Sequence, residues 1–283
     1  MQHILYKWVL LLVVAVVMLN QGGCEQNDNE NGNGNKNESP EIAVTNTYLQ
    51  AMVTDLSQGK KEVMCLTPPG MCPGHFDISP GMVNRLRRCR VLLRADFQQS
   101  LDKQLKRVKQ DGLSIQSIQA LPGFCLPQSY LSSCDEVMKV LVELDPDRQA
   151  DYRQQSERIK NRLNRLTSQL KDKIRQASIE KAKVITSTHQ AEFVRWLGLK
   201  VVGTFAGRDS ATPGSINACI EKAHSHKIKF VIANLQGGTE LARALAERLN
   251  AKIVIFSNFP DKADQPDSFD QLLKNNVAAL LEH

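Results

Sequence analysis

The chain has 283 residues, a formal net charge of +6, 42% hydrophobic and 5% aromatic residues, and seven cysteines. Roughly 240 residues follow the polar stretch ending at Pro40, enough for two domains with real cores, so a disordered body is excluded. The basic residues are spread through Arg85 to Arg94, the central charged stretch and the C-terminal half with no interleaved aromatics, which describes a solvated surface and not a nucleic-acid footprint.

Lys7 precedes an apolar run from Trp8 to Leu19, and Gly22-Gly23-Cys24 follows it. A basic start, a short apolar core and small residues before a cut site describe a secretory signal over 1–24, because the run is too short to span a bilayer. Two glycines before Cys24 resemble the lipobox of bacterial lipoproteins, which makes Cys24 the expected lipidated residue of an exported, membrane-anchored protein. Residues 25–40 contain no apolar side chain beyond Pro40 and cannot offset the entropy of folding, so they read as a tether. Six cysteines remain after Cys24, and in an oxidising compartment some are expected to pair. Five of them precede the central stretch, so the bridges would staple the first lobe, with Cys125 to Cys134 or Cys72 as candidates.

The first lobe, 41–146, carries short buried strands at Ile42 to Thr45, Glu62 to Thr67, Arg90 to Arg94 and Ser114 to Ile118. Helices are expected at Thr47 to Leu56 and Cys134 to Leu144. Two loops rich in Pro and Gly, Pro68 to Pro80 and Leu121 to Gln128, hold His75, Cys72 and Cys125.

Between the lobes, 147–180 predicts one long helix. Ile159, Leu163, Leu166, Leu170, Ile174 and Ala177 recur at steps of three and four, and no Gly or Pro interrupts Asp147 to Ser178. Two readings of it stand, a spine inside a two-lobed protein and a coiled-coil arm. The α/β patterns on both sides favour the spine.

The second lobe, 181–283, alternates strand and helix. Strands are expected at Ala182 to Thr188, Lys200 to Phe205, Ile228 to Leu235 and Lys252 to Ser257. Helices are expected at Gln190 to Leu197, Pro213 to His226, Thr239 to Leu249 and Ser268 to Leu281. Near-continuous apolar strands between amphipathic helices predict an α/β class with parallel sheets covered on both faces. Ligands of such sheets bind beyond the strand carboxyl ends. His189 and Asn258 each directly follow a strand there, and His75 lies in a loop after a strand of the first lobe. His224 and His226 stand two apart near a helix end and read as surface residues. No Ser-His-Asp, paired-carboxylate or phosphate-loop pattern occurs, so no enzyme is expected.

The stretches CPGHFDISP (Cys72 to Pro80), LVELDPDRQADYRQQSERI (Leu141 to Ile159), VITSTHQAEFVRWLGLKVVGTF (Val184 to Phe205) and ANLQGGTELARALAERLNAKIVIFSNFP (Ala233 to Pro260) resemble the periplasmic metal-binding receptors of zinc and manganese ABC importers. The resemblance covers most of the chain from Glu41 onward. It implies two α/β lobes joined by one rigid helix, a divalent metal held between them as transported ligand, no organic cofactor, a membrane permease as partner, and a monomer. It matches His75 and His189 to two family histidines. The family's second-histidine motif falls near Leu121 to Pro127, where Cys125 is the soft ligand available, and its last carboxylate falls near Ser257 or Asn258. A set of His75, His189, Cys125 and Asn258 suits zinc better than manganese, which favours oxygen. Each residue also has a plainer role: His75 braces its loop, Cys125 forms a bridge, Asn258 makes a turn. The alternative function is a binding or adhesion module of the same fold.

Overall fold

Apolar runs of three to six residues become eight strands, and each half of the chain gathers four of them into a parallel sheet. In the first half, β1 (Ile42–Val44), β2 (Val63–Cys65), β3 (Val91–Ala95) and β4 (Ser114–Ile118) lie in the order β2-β1-β3-β4. In the second, β5 (Lys183–Ser187), β6 (Lys200–Phe205), β7 (Phe230–Asn234) and β8 (Lys252–Phe256) lie in the order β6-β5-β7-β8. The two lobes therefore repeat one topology. The computed structural model describes residues 41–67, 78–120, 123–207 and 210–282. The signal, Cys24, the tether, Cys72 and His75 lie outside the described residues.

In the first lobe α1 (Thr47–Ser57) is buried along nearly its whole length. Asn46 starts it, its side chain accepting from the backbone N–H groups of Tyr48 and Leu49 at 3.1 Å each. Three short helices that the sequence pattern does not announce follow: α2 (Pro80–Leu86), α3 (Leu101–Gln104) and α4 (Lys106–Gln110). The next helix, α5 (Pro127–Leu144), begins seven residues before the expected Cys134, because Pro127 sits in the first turn, where its missing N–H is no loss. The second lobe adds α7 (Ala191–Trp196), α8 (Pro213–His224), α9 (Glu240–Arg248) and α10 (Ser268–Leu281), all close to expectation.

The long helix α6 (Gln149–Gln176) is an internal spine and not an arm. Its 28 residues extend roughly 42 Å. Ile159, Leu163, Leu166, Leu170 and Ile174 are buried as expected, Tyr152 joins them, and Ala177 is exposed because the helix ends at Gln176. One continuous apolar cluster runs from β1 and α1 through this stripe to β5, α7 and α10. The spine packs on α5 and α1 of one lobe and on α10 of the other.

The expected disulfide staples are absent among the described residues, where Cys65, Cys89, Cys125, Cys134 and Cys219 are all free. Cys134 faces the core from the middle of α5, whereas Cys125 precedes that helix, and both thiols are free.

Candidate functional site

In both lobes the strands end on the same side, and the two sets of carboxyl ends meet in a polar seam. On the first lobe, Gln98 organises the ends of β1 and β3. Its Oε1 accepts from Thr45 Oγ1 at 2.5 Å, Asn46 Nδ2 at 3.3 Å and the Ala95 N–H at 3.3 Å. Thr67 Oγ1 donates to the Thr45 carbonyl at 2.5 Å and draws in the end of β2. With Asn46 held this way, the first turn of α1 presents Tyr48 to the other lobe. The Tyr48 hydroxyl donates to the backbone carbonyl of Asn258, 210 positions away.

The Tyr48 ring is nearly fully buried among Phe124, Phe259 and Phe269, at centroid distances of 5.3, 5.6 and 6.1 Å. Tyr130 of α5 stacks flat on Phe269 of α10 at 3.9 Å. Aromatic surface thus fills the space behind the seam.

On the second lobe, β5 runs into a 3-10 turn, Thr188–Gln190, which exposes His189 and buries Gln190 completely. Gln190 Nε2 donates to the Ser257 carbonyl at 3.2 Å and to Asn258 Oδ1. Gln236 accepts from the Asn258 N–H at 2.9 Å, and Asn276 brackets Ser257, accepting from its N–H and donating to its carbonyl at 2.9 Å each. Asn258 is therefore held at three points, its carbonyl, its side-chain oxygen and its N–H. Gln190 Oε1 and Ser187 Oγ beside it are buried without a hydrogen-bond partner among the described residues.

Of the sequence candidates, Cys125 and Asn258 come together around the Tyr48 hydroxyl, which donates to the Asn258 carbonyl and lies close enough to act on the Cys125 thiol electrostatically. His189 neighbours Gln190, the residue that grips Asn258. Burial pushes the Cys125 thiol up to about 12, and the nearby Tyr48 hydroxyl offsets only part of that. Near neutral pH Cys125 is therefore a thiol and not a thiolate. Cys65, donating to the Thr67 carbonyl at 3.2 Å, is likewise raised to about 12 by burial. Among the described residues no three His, Cys, Asp or Glu side chains converge as a metal cage would require. His224 is the last residue of α8 and His226 lies just past it, beside Lys183 at the amino end of β5 and so away from the seam.

Sequence reasoning missed Tyr48, Gln190, Gln236 and Asn276. Gln190 and Gln236 carry a readable signal, a polar residue just past the end of an apolar strand, whereas Asn276 lies mid-helix and carries none.

A second tie joins the lobes at the other end of α1. Arg162 of the spine donates to Asp55 Oδ2 at 2.8 Å, pairs with Asp267, and places Nε 3.0 Å from Asp270 Oδ2, an ion pair not aligned as a hydrogen bond. Asp55 also accepts from Tyr130 at 3.2 Å and from the Asp267 N–H at 2.8 Å. Burial raises the carboxyl of Asp55 despite Arg162, and raises Asp270 to about 6.

A family model described as zinc-uptake complex component A, periplasmic (ZnuA), matches residues 42–283. Among solved structures, a manganese-bound mutant of a periplasmic metal binding protein from Candidatus Liberibacter asiaticus superposes with a TM-score of 0.70 at 16% identity, covering 85% of this chain and 98% of that one. A mutant of the laminin-binding adhesin (Lmb) from Streptococcus agalactiae gives 0.72 at 15% identity, covering 86% and 98%. A zinc-bound deletion mutant of ZnuA gives 0.69 at 17% identity, covering 86% and 97%. At these identities the likeness is one of fold. No curated protein matches the sequence.

Proposed function

Because the chain belongs to the family of periplasmic zinc-uptake component A proteins, we propose that it is an extracytoplasmic receptor that captures a divalent metal ion between its lobes and delivers it to an ABC permease. Zinc is the favoured ion. The observation that carries this reading is the seam itself: the carboxyl ends of two parallel sheets, where such sheets bind ligands, face each other with His189 exposed beside them. His75 and His189 are the primary ligands in this reading, since neutral imidazole suits zinc. Cys125 would join only by giving up its proton, and Asn258 only by exchanging a protein hydrogen bond for the ion. The receptor performs no chemistry of its own. It acts as a monomer, held at the membrane through Cys24 and the tether.

Zinc titration of the full chain by calorimetry, beside the His75→Ala/His189→Ala double variant, tests this. One zinc per chain, lost in the variant, is the expected result. No zinc bound by the unaltered chain would sink the capture reading.

A second reading is a binding or adhesion module whose cleft has lost its metal. It is favoured by the hydrogen bonds that occupy both Asn258 oxygens and by the lack of a metal-ligand cluster among the described residues. Under it, zinc would leave the chain's affinity for its partner unchanged.

A further inference from the structure

The strand register gathers at one pole lysines that are scattered in the sequence. Lys183 and Lys200 are cross-strand partners at the start of β5 and β6, and the Lys229 N–H donates to the Lys183 carbonyl at 2.8 Å. Lys200, Lys183 and Lys229 therefore stand side by side across three neighbouring strands, about 4.8 Å apart in backbone spacing. Lys252 opens β8 and extends the edge to the fourth strand. Lys200 and Lys229 are exposed and Lys183 half-buried.

Among the described residues no carboxylate pairs with these three. Lys183 lies 3.4 Å from His226 Nδ1, and Lys229 sits 5.4 Å from the Phe230 ring. Like charges directly across strands destabilise a sheet, so the row works against the fold.

The first lobe is an internal control, because it repeats the topology. At its amino edge the cations are compensated: Lys61 lies 3.2 Å from Asp145 and 3.9 Å from Glu41, and Arg90 lies 3.4 Å from Glu41. The spine starts beside that edge, just after Asp145, and ends just before Lys183. The two edges thus sit at opposite ends of the molecule, roughly 40 Å apart. The described chain enters at Glu41, at the neutralised end. The lysine row stands at the far end, clear of the seam.

We propose that the amino edge of the second sheet is a docking surface for a linear anionic polysaccharide, gripped by Lys200, Lys183 and Lys229. A row one lysine wide fits a chain of charges better than a plane of lipid headgroups. The lack of exposed aromatics interleaved with it disfavours single-stranded nucleic acid, whose bases would need stacking platforms. Lysine ammonium groups are compact point charges that suit sulfate or carboxylate groups repeated along a flexible polymer. The proposal does not depend on metal capture.

The test measures binding of the full chain to immobilised heparin decasaccharide, to uncharged dextran and to phosphatidylglycerol vesicles. It is run at about 0.1 M and about 1 M salt, between which the screening length falls from ~10 to ~3 Å. The variant Lys183→Gln/Lys200→Gln/Lys229→Gln is compared with Lys60→Gln/Lys103→Gln/Lys109→Gln, which removes equal charge from exposed positions of the first lobe. Salt-sensitive heparin binding that falls about tenfold or more in the edge variant and stays within about twofold in the other is expected. The edge variant should melt no lower than the unaltered chain. Equal losses in both variants, no heparin binding at the lower salt, or stronger binding to vesicles than to heparin would each overturn the assignment.

Discussion

Replacing Arg162 with Met removes the only guanidinium that faces Asp55 and Asp270 in the described structure, whose side chains are 1% and 4% exposed. Breaking a buried ion pair by deleting one partner typically costs about 3–5 kcal/mol, because the remaining charge stays desolvated. The loss should depend on pH. Asp270 is already raised from 3.8 to about 6 in the folded chain. A carboxyl raised on folding contributes stability that is fully present below its unfolded value and is lost as pH climbs through its folded value. In the unaltered protein this group therefore adds on the order of 2 kcal/mol at pH 4 relative to pH 8. Without Arg162 both carboxyls rise further, so the variant is penalised most at pH 8 and least where they are protonated. Urea unfolding of Arg162→Met at pH 5 and pH 8 measures this, with Asp270→Asn as the companion that should flatten the pH dependence. A loss under about 1 kcal/mol at pH 8, or equal losses at both values, would refute the clamp as a desolvated ion cluster.

Tyr48→Phe should lower stability by about 1–3 kcal/mol in thermal unfolding, because the Asn258 carbonyl loses its donor inside the lobe junction. Leu163→Ala, at a fully buried spine position, should cost about 2–5 kcal/mol. Its melting curve should remain one transition, since a single apolar cluster serves both lobes, and two separated transitions would contradict that continuity. Cys125, raised to about 12, should resist iodoacetamide at pH 8 in the folded chain and react promptly once urea unfolds it. If Cys125 ligates zinc, affinity should climb by up to about tenfold per pH unit between pH 7 and 9, because the thiol must give up its proton, and a flat profile there would exclude it as a ligand.

The sequence by itself was enough for the eight strands, the parallel class and the long helix, whose role as a spine it favoured and the packing on both lobes decided. Apolar runs bounded by turn residues and apolar steps of three and four are local patterns, and each dictates which face of an element is buried. Lys200–Phe205 and Ser268–Leu281 fall where that pattern put them, and His189 stands just past its strand as read. The short helices α2, α3 and α4 escaped because pieces of four to seven residues are too brief to show a period. Only the tertiary structure decided which polar groups meet. Arg162 is one of several arginines in a charged helix, and its partners lie 105 to 108 positions away. Tyr48 looks like any core aromatic until the first turn of α1 delivers its hydroxyl to Asn258. The unpaired cysteines and the lysine edge follow the same logic. Periodicity states which side of an element turns inward, but a hydrogen bond, a desolvated charge or a row of cations exists only once distant segments are packed against one another.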